Sequence, residues 1–572
     1  MTTIAKNVAM RNVKAPVDDG IAKQFWIKFR DESLFVIYTP FVVCLASGQL
    51  ELESFHHFIT QDVHFLRAFV KALHLAEDVA DDDENESAIA ELRKHVKQKL
   101  KMHKSFVKEW GFDPANETSA TSATLKYTDF LVATASGKVE GETGRGKFAT
   151  PFEKTKLAAY TLSAMTPCMR LYAFLGKELR GLLYSDEGSH RYKKWIDNYS
   201  SQNFEALTRH TEELLEQLSA TLTGDELQVM ERIYHKAMKL EKEFFTAQPI
   251  VLRAIFPLTR VLDPVEYRLI LFSDFDLTCT ILDSSAILAE IAILTVPKSD
   301  RRETETENPL PGMSSADLRN SWGVLSKEYT EEYEQCIENI MLKETVPEFN
   351  YEGLSKALEK VSDFEKRANA KVIESRLLKG LNLEDIKKAG ERLILQDGCT
   401  GFFQTIVKNE GLKADVHIIS YCWCDDLIRS AFSSGDLNVL NIHANQFAFE
   451  ESISTGEIIK KVESPLEKVE VFKEILKNCE NGSTRLSIYI GDALGDILCL
   501  LEADIGIIIG SSPSLRTVGR EYGVKFVPLL SGLVKKQKEF DGSSCIWKGL
   551  SGILYTVSSW AEIHALILGT RS

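Results

Sequence analysis

No window of this 572-residue chain approaches the ~18 uninterrupted apolar residues that a membrane-spanning helix needs, so nothing in it is expected to cross a bilayer. Positive charge is also in short supply. Sixty-eight Lys and Arg stand against 83 Asp and Glu, a net charge of -15, which argues against a nucleic-acid footprint and against an anionic membrane surface. A phosphate ester bound here would need a local cation to overcome that field. The ten cysteines are scattered without framework spacing, which excludes a disulfide scaffold and fits a reducing compartment. Cys422-Trp-Cys424 lacks a second pair at zinc-ligand spacing. The first fourteen residues hold Lys6, Arg11 and Lys14 and no acid, yet lack the Arg/Ser-rich amphipathic run of a mitochondrial presequence. A cytoplasmic location is expected, with the mitochondrion as the alternative.

What is present is a soluble globular composition, 44% hydrophobic and 26% charged, long enough for about three or four compact units. After a flexible N-terminus (1–18), residues 19–248 read as helical, with few glycines and no convincing alternating strand. Polar groups interrupt the apolar stripes. Asp62 shares a face with Phe55, Ile59, Phe65, Leu66 and Phe69, and Cys168 and Tyr172 are helical neighbours on the stripe from Leu157 to Leu175. Pro167 sits inside that helix. Glu241 lies on the stripe of Leu227, Met230, Tyr234, Met238 and Phe245. Two carboxylates and a thiol aimed into one bundle each need a partner, and a polar pocket accounts for all three. A di-iron site is a weaker reading, because Glu53-x-x-His56 has no second helical Glu-x-x-His.

Thr60-Gln61-Asp62, Thr166-Pro167-Cys168-Met169-Arg170-Leu171-Tyr172 and Tyr192-Lys-Lys-Trp195-Ile196-Asp-Asn-Tyr199 resemble the TenA family of aminopyrimidine hydrolases, also called thiaminase II. That resemblance implies an all-α bundle of the haem-oxygenase type and a homo-oligomer formed through it. It also implies Cys168 as nucleophile, Glu241 as proton donor to the departing amine, and Asp62, Tyr127, Tyr172 and Tyr199 as pyrimidine-binding residues. Phe65 stands where many relatives carry tyrosine. A polar loop from Ser136 to Lys154 separates Tyr127 from Cys168.

Pro249, Pro257 and Pro264 mark residues 249–267 as a linker. Beyond it, Leu269–Phe272 reads as a strand buried on both faces, and it ends in Asp274 and Asp276. Alternation places both acids on one side of an extended segment, where a divalent cation would relieve their repulsion. About 140 residues then pass before the next buried strand, Val416–Ser420, with helical stretches and a polar loop from Pro297 to Gly312. Lys468 follows near a helix start at Ser464-Pro465, with Lys460 and Lys461 as competitors. The strand from Leu486 to Ile490 leads into Gly491-Asp492-Ala-Leu-Gly-Asp496.

Asp-x-Asp-x-Thr, a strand-end Ser, a helix-start Lys and Gly-Asp-x-x-x-Asp, in that order, resemble the haloacid dehalogenase-like phosphatases. The resemblance implies an α/β Rossmann-like domain over 268–572 with a helical cap at about 284–412. It implies that Asp274 attacks phosphorus, Asp276 acts as acid and base, and Ser420 and Lys468 hold the phosphoryl group. Mg²⁺ would be held by Asp274, Asp492, Asp496 and Asp276, the last through its backbone carbonyl. Both halves together resemble plant proteins that fuse a TenA domain to a thiamin monophosphate phosphatase. That reading makes thiamin monophosphate and aminopyrimidines the small-molecule partners. The alternative is a phosphatase for another small phosphomonoester, with a non-catalytic helical module for binding and oligomerisation.

Overall fold

The computed structural model describes residues 20–80, 83–109, 119–139, 151–183, 190–251, 254–263, 266–295, 314–341, 348–409, 411–438, 440–479, 484–541 and 547–570. The expected flexible N-terminus and the loop from Pro297 to Gly312 lie outside them, as do parts of the Ser136–Lys154 loop and of the linker. The chain divides into two compact units. The described residues between 20 and 261 group with 533–541 and 564–570, and those between 262 and 532 with 547–563.

The first unit is helical: α1 (Ile21–Lys28), α2 (Arg30–Ile37), α3 (Pro40–Ala46), α4 (Leu52–Glu77), α5 (Asp83–Glu109), α6 (Ser122–Ala135), α7 (Pro151–Leu182), α8 (Lys193–Tyr199), α9 (Gln202–Ser219) and α10 (Gly224–Thr246). Local chemistry sets several boundaries. Thr39, Thr121 and Ser201 each accept a backbone N–H at a helix start, and Thr223 and Glu226 form a reciprocal capping box on α10. Helix α7 runs without interruption through Pro167. The interior is aromatic, with Phe41, Phe55, Phe58 and Phe69 fully buried. Gln61 joins α4 to the start of α6, accepting from Thr121 N at 2.9 Å and from Thr124 Oγ1 at 2.7 Å while donating to Ser119 O at 3.1 Å. That tie fixes the stretch of α6 that carries Tyr127.

The second unit is built on a seven-stranded sheet. Its strands are β1 (Tyr267–Ser273), β2 (Ala414–Ile419), β3 (Asn441–His443), β6 (Thr484–Gly491), β7 (Ile505–Ile509), β8 (Lys525–Pro528) and β9 (Ile553–Val557), in spatial order β3-β2-β1-β6-β7-β9-β8. Every neighbouring pair is parallel. A separate antiparallel hairpin pairs β4 (Gln446–Glu450) with β5 (Ile453–Ile459). Strands β1 and β7 are apolar almost throughout because a parallel sheet is covered on both faces. The chain leaves β1 to one side for β2 and returns on the other for β6, so the C-terminal ends of these three strands frame a crevice.

Between β1 and β2 lie α11 (Ser284–Thr295), α12 (Ser315–Ile340), α13 (Tyr351–Glu374), α14 (Leu383–Glu391) and α15 (Cys399–Lys408). Helix α13 lays Leu354, Leu358 and Val361 onto the core of Ile270, Phe272, Tyr489 and Leu498, while α15 packs Phe402 and Phe403 on Trp560. Phe272 is fully buried, with its ring 4.6 Å from Phe472 and 6.3 Å from Tyr489. Phe272→Ala should therefore lower the unfolding free energy by about 3–5 kcal/mol in denaturant titration; a loss under ~1 kcal/mol would contradict this packing.

Candidate active sites

At the crevice of the sheet unit, Asp274 leaves β1 and Asp492 leaves β6, and one carboxylate oxygen of each lies with one of Asp496 within 4.8 Å of one another. Sequence spacing alone could not show that 217 intervening residues return the chain to this point. Helix α16 (Pro465–Asn478), whose start is capped by Ser464, aims Lys468 between the acids. Its Nζ is 2.9 Å from Asp274 Oδ1 and 2.7 Å from Asp496 Oδ1. Asp496 is held further by Tyr489 Oη at 2.9 Å and by the Ala493 N–H at 3.1 Å. A Cβ at Gly491 would meet the Asp496 carboxylate at 2.6 Å, so only glycine fits there.

Asp276 is placed differently. Its carboxylate accepts from Ser284 N at 2.7 Å and Ser284 Oγ at 2.8 Å, at the start of α11, and is not one of the three gathered acids. The turn that follows puts Leu277 in the left-handed region (φ 59°), and Leu277 N donates to Thr280 Oγ1 at 3.1 Å. Thr278 Oγ1 donates to Asp492 Oδ1 at 2.9 Å. Ser420, fully buried at the end of β2, accepts from the Cys422 N–H at 3.1 Å, and Tyr421, Cys422 and Trp423 after it line the cavity above the acids.

Burial pushes Asp274 up to about 7, with Asp496 adding to the effect and Lys468 opposing it. Burial likewise raises Asp276 to about 8, reinforced by Asp283 and Asp274. Asp492 is also raised by burial and by Asp274. Burial works against the Lys468 ammonium, but the two carboxylates outweigh it and hold the group above the ordinary lysine value. Three acids against one lysine leave an excess of negative charge. All-oxygen donors at this separation suit a hard divalent cation such as Mg²⁺.

The helical unit assembles a second site from α4, α5, α6, α7, α8 and α10. Cys168 on α7 and Glu241 on α10 are near enough that each shifts the other's ionisation, and Tyr127 Oη on α6 donates to Glu241 Oε1 at 2.9 Å. Tyr172, one turn along from Cys168, directs its hydroxyl toward Asp62 Oδ1 at 3.4 Å and packs its ring 4.8 Å from Tyr199. Phe65 stacks 4.6 Å from Tyr127. The Tyr199 hydroxyl and the Trp195 indole N–H are buried without a hydrogen-bond partner among the described residues, so two polar atoms remain for a ligand. Glu53 is exposed, and no metal cluster involves His56 among the described residues.

Burial raises Glu241 to about 7, against the Tyr127 hydroxyl and the Cys168 thiol, which favour the carboxylate. Burial also pushes the Cys168 thiol well above its usual range, with Glu241 adding to it. Lys99 on α5 is the opposing charge, a residue the sequence reading did not single out. Its ammonium stands 4.5 Å from the Tyr199 ring centre, 5.2 Å from Tyr172 and 5.4 Å from Phe204. At fixed pH, iodoacetamide should alkylate Cys168 more slowly in Lys99→Met and faster in Glu241→Gln, each by about tenfold for a one-unit shift, as read by mass spectrometry of the Cys168 peptide. Equal rates in all three proteins would show that these charges do not act on the thiol.

The TENA/THI-4/PQQC family model matches residues 26–140 and 152–249. Over 574 aligned residues the chain is 58% identical to the bifunctional TH2 protein, mitochondrial, of Arabidopsis thaliana, covering all of this chain and 92% of that one. It is 24% identical to the aminopyrimidine aminohydrolase of Halalkalibacterium halodurans over 36% of this chain and 85% of the relative. A solved phosphoserine phosphatase, as a phospho-aspartyl intermediate analogue, overlays with a TM-score of 0.28 at 20% identity, covering 44% of this chain and 91% of the other.

Proposed function

The chain belongs to the family of bifunctional TH2 proteins and is an enzyme, and from that premise we propose that its two units catalyse two separate hydrolyses in thiamin metabolism. The sheet unit is a Mg²⁺-dependent phosphomonoesterase acting on thiamin monophosphate. The observation that carries this is the convergence of Asp274, Asp492 and Asp496 on one volume, with the Lys468 ammonium among them. Asp274 attacks phosphorus and becomes an aspartyl-phosphate. Asp276, raised to about 8, holds its proton near neutral pH and gives it to the departing alkoxide, then takes a proton from the water that hydrolyses the acyl phosphate. Lys468 balances charge on the transferred group while Asp496 and Tyr489 keep its position. Asp274 and Asp492, with the backbone carbonyl of Asp276, would hold Mg²⁺, which when bound would neutralise charge on the phosphoryl oxygens. Helices α12 and α13 act as the cap, enclosing the leaving group and limiting water.

The helical unit is an aminopyrimidine aminohydrolase of the TenA type. Cys168 adds to the ring of 4-amino-5-aminomethyl-2-methylpyrimidine, and Glu241, beside the thiol, holds the proton that leaves with the amine. Asp62 and Tyr172 receive the aminopyrimidine edge, and water releases hydroxymethylpyrimidine. We extend to this chain the mitochondrial location carried in the name of the Arabidopsis relative.

Asp274→Asn should abolish Mg²⁺-dependent phosphate release from thiamin monophosphate and leave pyrimidine hydrolysis intact, and Cys168→Ser should do the reverse. Loss of both activities from either folded variant would contradict independent sites. Tyr127→Phe removes a hydrogen bond that favours ionised Glu241, so the limb of the aminohydrolase pH–rate profile near 7 should move to higher pH. A limb that stays in place or moves to lower pH would remove Glu241 from the proton transfer.

A further inference from the structure

The cavity that opens at Asp274, Asp276 and Asp492 is walled on its far side by groups with no part in phosphoryl chemistry: Tyr329, Glu332 and Tyr333 from α12, Glu365 and Asn369 from α13, and Trp423 after β2. The two acids on this wall differ in their surroundings. Glu332 is neutralised by Lys371, whose Nζ lies 2.5 Å from Glu332 Oε1. Glu365 accepts instead from Tyr329 Oη, at 2.7 Å, and no lysine or arginine among the described residues forms an ion pair with it. Its neighbour Lys366 is turned to Glu467, at 2.6 Å. Burial raises the Glu365 carboxyl to about 7, a cost that a cation placed beside it would reverse.

The rings around Glu365 are fixed. Tyr329 and Tyr333 stack at 6.0 Å with 10° between their planes, and both pack on Phe364. The Trp423 indole N–H donates to Asn369 Oδ1 at 3.0 Å, which sets the plane of that ring. An acid with no ion-pair partner among the described residues, set among aromatic faces, is the complement of a flat, positively charged ring.

We propose that Glu365, oriented by Tyr329, is a specificity-determining residue of the phosphatase site, selecting phosphomonoesters whose leaving alcohol carries a positive charge on a flat ring over those whose alcohol is neutral. This rests on the phosphatase reading of the sheet unit. The phosphoryl end goes to Asp274 and Lys468, and the cationic end lies against the α12–α13 wall.

The test compares kcat/KM of the full chain with Mg²⁺ for thiamin monophosphate, whose thiazolium is cationic, and p-nitrophenyl phosphate, whose alcohol is neutral. In Glu365→Gln the ratio of the two values should fall at least tenfold through a higher KM for the cationic ester. Glu365→Asp should recover part of it, and Tyr329→Phe should lower the ratio to an intermediate value. Inhibition of the wild type supplies a measure that needs no variant: thiamin should inhibit at least tenfold more strongly than an isostere with a neutral ring in place of the thiazolium. A ratio within twofold of wild type in Glu365→Gln, or equal inhibition by the charged and neutral alcohols, would overturn the assignment while leaving the phosphatase reading in place. A wild type that releases phosphate from neither ester would overturn both.

Discussion

A lysine ammonium buried between two carboxylates is the constraint on which the sheet unit depends. Lys468 is 1% exposed, and an ammonium so far from water is tolerable only with charged partners at hydrogen-bond distance. Asp274 and Asp496 provide them, and each comes from a different part of the chain. To bring them together, β1 and β6 must pair in register, Ser464 must cap the start of α16, and Gly491 must leave room for the Asp496 carboxylate. With Asp492 present as well, negative charge exceeds what one lysine can neutralise. The geometry that makes this unit expensive to fold is also what prepares it to accept a cation and a phosphoryl group.

The helical unit solves a related problem with the opposite balance. Its interior is more aromatic, and burial favours the neutral forms of Cys168, Glu241 and the pocket tyrosines. Charge enters mainly through Asp62 and through Lys99, which is only partly buried and stands over three rings. The Glu241 carboxyl, at about 7, gives the Cys168 proton a nearby acceptor that an isolated buried thiol would lack.

How much of this was legible in the sequence follows from the range of each signal. Asp274 and Asp276 stood out because a doubly buried strand broke off in two acids. The preference for Lys468 over Lys460 came from its position at a helix start, and in the structure Lys460 pairs with Glu463 at 3.2 Å while Lys468 reaches Asp274. Cys168, Tyr172, Asp62 and Glu241 were visible as polar interruptions of apolar stripes. Strands β3 and β8, three and four residues long, are too short to show a period. Lys99 is one of several lysines on a polar helix, and nothing local tells which of them turns toward Tyr199. Glu365 is hidden in the same way, since its meaning comes from α12 and from residues after β2, which tertiary packing alone brings to it.

The central claim is that the gathered acids make Asp274 a nucleophile toward phosphorus. Borohydride reduction of the enzyme quenched during turnover of thiamin monophosphate converts an aspartyl-phosphate to homoserine, and peptide mass spectrometry locates it. The account predicts homoserine at position 274, present with Mg²⁺ and absent in Asp492→Asn. Homoserine at another aspartate, or none while phosphate is being released, would contradict it.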